Sequence, residues 1–290
     1  MKNIRIIAIG DNVADKYLSR GIMYPGGQCV NTCVYAKMNG ADTAYLGKFG
    51  NDAVAEHNCR VLAELGIDNS RSRHFEGENG YARVTLENND RVFLGSNKGG
   101  IAREHPFAFT GEDIDYIKGF NVIYTNLNSY IEKDLPLLKA TGVPIVYDFS
   151  TRWNDDYLKE VCPYAEIATL SCCNLTEEQR LAEMKKAQAL GIKIVLGTNG
   201  EKGSYALYGD KILYQPAVKA EKVLDTMGAG DSYFAAFLVS LLQSSGDGKL
   251  ISGSEEEMLE RIRSGMEKGA VFAASVCGME GAFGYGIPIA

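Results

Sequence analysis

Asp225-Thr226-Met227-Gly228-Ala229-Gly230-Asp231-Ser232, followed at once by the apolar run Tyr233-Phe234-Ala235-Ala236-Phe237-Leu238, joins a turn of small residues to a carboxylate and then to a core segment. Two glycines around an alanine let backbone approach a ligand closely. A helix beginning there aims unpaired N–H groups and the positive end of its dipole at any anion. A carboxylate in the same turn is placed to take a proton from an attacking hydroxyl, so the stretch has the parts of a phosphate cradle with a base beside it. That combination suits phosphoryl transfer, in which positioning and charge stabilisation do most of the catalysis. The plainer alternative is a tight turn whose Asp231 only caps the helix.

Working outward, short strand-like runs alternate with helical patterns along the whole chain. Ile4 to Ile9 reads as a first strand and Gln28 to Met38 as a helix. Asn121–Tyr124, Pro144–Tyr147, Ile167–Leu170 and Ile192–Leu196 read as further strands, with a helical segment such as Thr176 to Leu190 between them. Repeated strand–helix units predict an α/β fold whose mostly parallel sheet carries helices on both faces, with ligands at the carboxyl ends of the strands. From about Ser70 to Asn97 the texture changes: Tyr81–Leu86 and Arg91–Leu94 flank Glu87-Asn88-Asn89-Asp90, a β-hairpin pattern. Gln243 to Ser254 reads as a surface loop between two helices, and there is no internal repeat.

The chain has 290 residues, which suits one large domain without requiring a second. A formal charge of −7 argues against nucleic-acid or anionic-membrane partners, which need a concentrated basic surface. There is no apolar stretch of membrane-spanning length, and Met1-Lys2-Asn3-Ile4-Arg5 leads into a strand instead of a signal peptide, so the expected location is the cytoplasm. The 7 cysteines are odd in number and lack Cys-x-x-Cys spacing, the pattern of free thiols in a reducing compartment.

Three further constellations carry polar chemistry. Gly10-Asp11-Asn12-Val13-Ala14-Asp15 ends the first strand, and Pro25-Gly26-Gly27-Gln28-Cys29-Val30-Asn31 opens a helix, which brings short polar side chains and open backbone to one cleft suited to hydroxyls. Asp148-Phe149-Ser150-Thr151-Arg152-Trp153 follows a buried-looking strand; Arg152 is suited either to clamping a phosphate with its planar fork of donors or to a structural ion pair with Asp148. Gly197-Thr198-Asn199-Gly200-Glu201-Lys202-Gly203 imitates a dinucleotide fingerprint. A strand pattern follows it, however, where such a site needs a helix, and no Gly-x-x-x-x-Gly-Lys-Ser/Thr is present.

The word Asp225 to Asp231 resembles the C-terminal signature of the ribokinase-like, or PfkB, family of sugar and nucleoside kinases. Gly47-Lys48-Phe49-Gly50-Asn51-Asp52, with Asp52 as a helix cap, resembles its first signature. The resemblance runs from Gly10 to about Gly284. It implies a three-layer αβα sandwich with a mostly parallel central sheet and a small β-sheet lid, residues 1–290 forming one kinase domain with a lid of about 16–25 and 70–97. It implies ATP and Mg²⁺ as cofactors, with K⁺ bound in some members near a segment matching Ser275 to Ala282. By the same resemblance Asp231 is the general base, Gly228, Ala229, Gly230 and Arg152 serve the transferred group, and Asp11, Asp15, Gly26, Gly27 and Asn31 hold the acceptor. Thr198, Gly200, Gly203 and Thr226 contact the nucleotide. Asn174 and Glu177 organise magnesium through water, unless they are only a cap and a first-turn acid. In the Asp-x-Asn-x-Arg element serine stands at position 150 instead of asparagine. Asn89–Phe93, Tyr147–Ser150 with Trp153, and Gly281–Gly286 look like the branch of the family that phosphorylates the 6-hydroxyl of fructoselysine, with Arg91 on the lid toward the lysine part. The alternatives are another acceptor (2-keto-3-deoxygluconate, fructose or a nucleoside) or a ligand-binding relative without turnover. A homodimer through the lid is the expected protein partner.

Overall fold

A computed structural model describes residues 4–87 and 90–289. Along the chain run strands β1 (Arg5–Gly10), β2 (Val13–Tyr17) and β3 (Ile22–Gly26), helix α1 (Gln28–Met38), β4 (Asp42–Phe49), α2 (Ala53–Glu64), β5 (Arg73–His74), β6 (Gly80–Glu87) and β7 (Asp90–Ser96). Then come α3 (Ile101–Glu104), α4 (Gly111–Ile117), β8 (Val122–Asn126), α5 (Leu135–Lys139), β9 (Ile145–Asp148), α6 (Asp155–Val161), β10 (Ile167–Ser171) and α7 (Glu177–Ala189). The last part holds β11 (Ile194–Thr198), β12 (Ser204–Tyr208), β13 (Lys211–Gln215), α8 (Ala229–Gln243), α9 (Glu255–Val276) and β14 (Ile287–Pro288).

Nine of the described strands form one sheet in the order β13-β12-β11-β10-β9-β8-β1-β4-β5. It is parallel from β11 to β5, and β12 and β13 are added antiparallel at one edge. The period-2 alternation of its strands separates two cores. Ile6, Ala8, Tyr124 and Val146 face the side covered by α1, α8 and α9, whereas Ile7, Ile9, Ile123 and Ile145 face the opposite side, which also holds Leu158 of α6 and Met184 of α7. This is why the strands read as unbroken apolar runs: both faces are covered. Each fully buried Ile or Phe contributes about 1.5–3 kcal/mol. Helix α8, lying between α1 and α9, is buried almost all round, from Asp231 to Leu242.

A second sheet has the order β14-β3-β2-β6-β7. The Lys16–Tyr24 segment supplies parts of β2 and β3, and the predicted hairpin supplies β6 and β7; Asn88 and Asn89 at its tip lie outside the described residues. Within the 70–97 stretch, Arg73–His74 pairs with β4 of the large sheet. Asp52 caps α2 by accepting the Ala55 amide (2.9 Å), and the Gln243–Ser254 loop joins α8 to α9, with Ser254 as the cap of a capping box. All 7 cysteines are free, and among the described residues no helix is long and apolar enough to cross a membrane.

The order of strands reverses between β1 and β8, since β1 continues to β4 on one side and β8, β9, β10 and β11 extend from the other. A crevice opens at the carboxyl ends of strands where such a reversal occurs. Asp11, Asn126, Asp148 and Thr198 all stand at those ends.

Candidate active site

The anion turn is built by α8 and by what packs beneath it. Gly228, the N-cap, is left-handed (φ 73°), and a Cβ there would lie 2.3 Å from the Tyr35 hydroxyl, so only glycine fits. Tyr35 is fixed in turn by donating to the Ala282 carbonyl (2.5 Å). Gly230 differs: its φ is ordinary and a Cβ would meet nothing within 4 Å. The space above it is room that the protein does not fill. Among the described residues the Gly230 and Asp231 amides donate to no protein acceptor, and no side chain caps this helix. Two free N–H groups at a helix start, with open space over a glycine, have the chemistry that receives an anion.

Asp231 is the third residue of α8, inside the helix, so it is not the N-cap of the plainer alternative. Its Oδ2 accepts the Asn31 amide (2.7 Å) from α1. Burial, then the charge of Asp148, pushes its carboxyl well above the usual range, and the Asn31 hydrogen bond opposes them. Asp148, at the end of β9, is pushed up to about 7, chiefly by burial; the Ser150 amide (2.6 Å) opposes that rise and the Asp11 charge adds to it. A carboxyl tuned toward neutrality in a cleft has the properties of an acid–base group.

Asp11 caps α1 in effect, accepting the Gln28 amide (2.9 Å), the Cys29 amide (3.0 Å) and the Asn126 side chain (2.7 Å). Asp15 lies against Gly26, where a Cβ would be 2.5 Å from its Oδ2, and Gly27 (φ 99°) passes close over Asn12 and Asp11. The two motifs that end β1 and open α1 are therefore in contact, with Asp231 held from the same helix by Asn31. Arg152 is exposed and donates to the Asn128 side-chain oxygen, and Asn128 donates to Gln28 (2.8 Å). The alternative Asp148–Arg152 ion pair does not form among the described residues.

Of the residues expected to contact nucleotide, Thr198 ends β11, Gly200 opens the turn that follows it, and Gly203 meets the Gln215 backbone so closely that a Cβ would lie 2.2 Å from its carbonyl. Thr226 is exposed at the mouth of the anion turn. Asn174 and Glu177 are exposed before and at the start of α7; the cap of that helix is Thr176, in a capping box with Gln179, so Asn174 is not the cap. Arg91 lies on β7, and its side chain is outside the described part. In Ser275–Ala282, the Cys277 carbonyl accepts the Leu224 amide (2.8 Å) and the Ala282 carbonyl accepts Tyr35.

Sequence reading alone did not single out Gln28, Asn126 or Asn128, and it treated Asp148 only as an ion-pair partner. Their positions at strand and helix ends are a signal, but their convergence depends on strand order, since β8 and β9 return to the side of β1 away from β4. Tyr17 was also missed: buried on β2, it donates to Asp225 Oδ2 (2.5 Å), whose Oδ1 accepts the Met227 amide (2.9 Å), tying the small sheet to the anion turn.

Residues 2–271 match the pfkB family carbohydrate kinase. The chain is 39% identical over 286 residues to fructosamine kinase FrlD of Bacillus subtilis, covering 98% of this chain and 95% of that protein. It is 32% identical to the fructoselysine 6-kinase of Escherichia coli, over 80% of this chain and 87% of that protein. Among solved structures, ribokinase from Giardia lamblia superposes with a TM-score of 0.81 at 15% identity, covering 97% and 95% of the two chains. Arabidopsis thaliana ribokinase complexed with ribose and ATP superposes with a TM-score of 0.74 at 21% identity, covering 96% and 92%. The fold is thus ribokinase-like, as the sequence resemblance implied.

Proposed function

The chain belongs to the pfkB family of carbohydrate kinases, and from that membership we propose that it transfers the γ-phosphoryl group of ATP to the 6-hydroxyl of fructoselysine. The observation that carries the reading is the start of α8, where two unclaimed amides and open space over Gly230 adjoin a buried carboxyl, Asp231. The names of the two relatives support the acceptor.

In this reading Asp231 takes the proton of the acceptor hydroxyl as its oxygen attacks phosphorus, and Asn31 holds the carboxylate in line. The Gly230 and Asp231 amides and the α8 dipole receive the transferred group. Asp11 orders the entrance of α1, and Asp15, Gly26, Gly27 and Asn31 line the acceptor side. Thr198, Gly200, Gly203 and Thr226 border the nucleotide. Arg152, turned to Asn128, swings to a phosphate only by giving up that bond. Asn174 and Glu177, both exposed and both carrying oxygen donors, would hold magnesium through water, and that ion would neutralise phosphate charge. Residues 1–290 act as one kinase domain, with the second sheet as a lid over the acceptor.

The test is ADP release from Mg-ATP with fructoselysine offered beside fructose, 2-keto-3-deoxygluconate, ribose and adenosine. Fructoselysine should be turned over best, and Asp231→Asn should lower kcat by ~10²–10⁴-fold while the protein stays folded. A loss below about threefold, smaller than any positioned general base gives, removes Asp231 from that role. Preference for another acceptor keeps the kinase and moves its specificity.

A further inference from the structure

Asp11, Asp148 and Asp231 meet at the carboxyl ends of β1 and β9 and the start of α8, all buried. Buried carboxylates are ordinarily paired with a cation. Asp113, for example, is held by Arg73 at 2.5 Å. Among the described residues no lysine, arginine or histidine pairs with any of these three. Their partners are neutral, and they are unequally used. Asp11 accepts three hydrogen bonds, two from the start of α1 and one from Asn126. Asp231 holds Asn31 on one oxygen. Asp148 takes the Ser150 amide on Oδ1, with the Gln28 and Tyr124 side chains beside its carboxyl.

Two neighbouring polar atoms are also unsatisfied. Asn31 Oδ1, on a side chain only 3% exposed whose other end holds Asp231, has no partner. The Tyr124 hydroxyl, 0% exposed on β8 and close enough to Asp148 and Asp231 to feel both charges, has none either. An unmet amide oxygen and a phenol hydroxyl beside carboxylates that repel one another describe a site lacking positive charge.

An acceptor can bring that charge. We propose that Asp148 is a specificity-determining residue whose carboxylate receives the protonated secondary amine of an N-substituted 1-amino-1-deoxyketose, so that the site selects such cations over neutral ketoses. The inference rests on the kinase reading above and goes beyond it by assigning the group that reads the amine. A neutral sugar of the same ring leaves the three carboxylates mutually repelling. The ammonium supplies a charge-assisted hydrogen bond to Asp148 and relieves that repulsion. The sugar's 6-hydroxyl, at the far end of the ketose from the amine, is then left to Asp231.

The test compares two acceptors that differ only at the nitrogen: 1-methylamino-1-deoxyfructose, a cation, and 1-O-methylfructose, its neutral counterpart. With the wild-type enzyme and Mg-ATP, kcat/KM should favour the cation by roughly 10–100-fold, the range for a buried charge-assisted hydrogen bond. In Asp148→Asn the ratio should fall to within about threefold of unity, whatever the absolute rates, and Asp148→Glu should recover part of it. The wild-type comparison stands even where a variant folds poorly. Equal use of the two acceptors by the wild type, or a preference that survives Asp148→Asn, overturns the proposal and leaves the kinase intact. Absence of turnover with every acceptor overturns the kinase reading and the proposal with it.

Discussion

At the scale of single residues, the two glycines of the anion turn serve opposite purposes and should respond oppositely to the same change. Gly228→Ala forces a side chain into left-handed backbone and onto the Tyr35 hydroxyl, a strain of about 1–3 kcal/mol. It should lower the melting temperature by roughly 2–8 °C in a chain of this size. Gly230→Ala meets open space at ordinary φ, and alanine favours a helix over glycine by up to about 1 kcal/mol. Its melting temperature should hold or rise slightly, while kcat/KM for ATP falls at least about tenfold because the methyl group occupies the phosphate's room. Calorimetry and steady-state kinetics on the pair settle this; a Gly230→Ala enzyme with full activity would mean that no phosphate sits there. Asp148 gives a pH signature with a definite sign. Its carboxyl is raised from 3.8 to about 7, so the folded protein binds more protons than the unfolded chain between those values, and stability decreases as pH rises through that window. Ligand-free enzyme should therefore lose melting temperature from pH 5 to pH 8, and Asp148→Asn should show a shallower fall. The spacing of Asp225 to Asp231 already announced the turn and its carboxylate in the sequence. The neighbour that tunes that carboxylate was not legible, because Asp148 lies 83 residues upstream and only the strand order brings them together.

At the scale of elements, the sequence was most informative where a segment is covered on both faces. Val122–Asn126, Ile145–Asp148, Ile167–Ser171 and Ile194–Thr198 are continuous apolar runs because helices lie above and below them, so their positions could be read within a residue or two. Helices α1 and α7 were equally plain, from the Gly-Gly turn and from the helical spacing of Thr176 to Leu190, although the cap of α7 is Thr176 and not Asn174. The pairing of the two-residue β14 with β3 was not visible, since Ile287–Pro288 has no periodicity to detect and its partner is more than 260 residues away. The link from β2 to the anion turn is of the same kind. Tyr17 on β2 donates to Asp225, which sets the turn by accepting Met227. Tyr17→Phe removes one buried, charge-assisted hydrogen bond and should cost about 1.5–3 kcal/mol in urea unfolding. If the link also positions the turn, KM for ATP should rise several-fold in the same variant. A stability loss with unchanged KM would leave Tyr17 as packing alone.

At the scale of the whole molecule, the second sheet is left with an apolar edge. Strand β7 pairs with β6 on one side and, among the described strands, with none on the other. Phe93 pairs with Val84 and Gly95 with Arg83, so Leu94 stands at a bulge in β7 where the regular alternation of faces is broken. Phe93 and Leu94 are both exposed, at 63% and 50%, and Leu18, in the turn after β2, is exposed at 47%. An apolar edge strand of this kind invites pairing or face packing by another chain. With a net charge of −7 a second copy is repelled at long range, so its association depends on short-range apolar contact and strengthens with salt. We propose that the enzyme is a homodimer through this sheet, which would also cover the acceptor side of each copy with its partner's lid. Sedimentation at micromolar concentration should give twice the 31.6 kDa chain mass, and Phe93→Asp with Leu94→Lys should return a folded monomer. Because those side chains belong to the second sheet and not to the α8 turn, loss of the dimer should raise KM for the acceptor more than for ATP. A monomeric wild type, or a double variant that still sediments as a dimer, would place the association elsewhere or remove it.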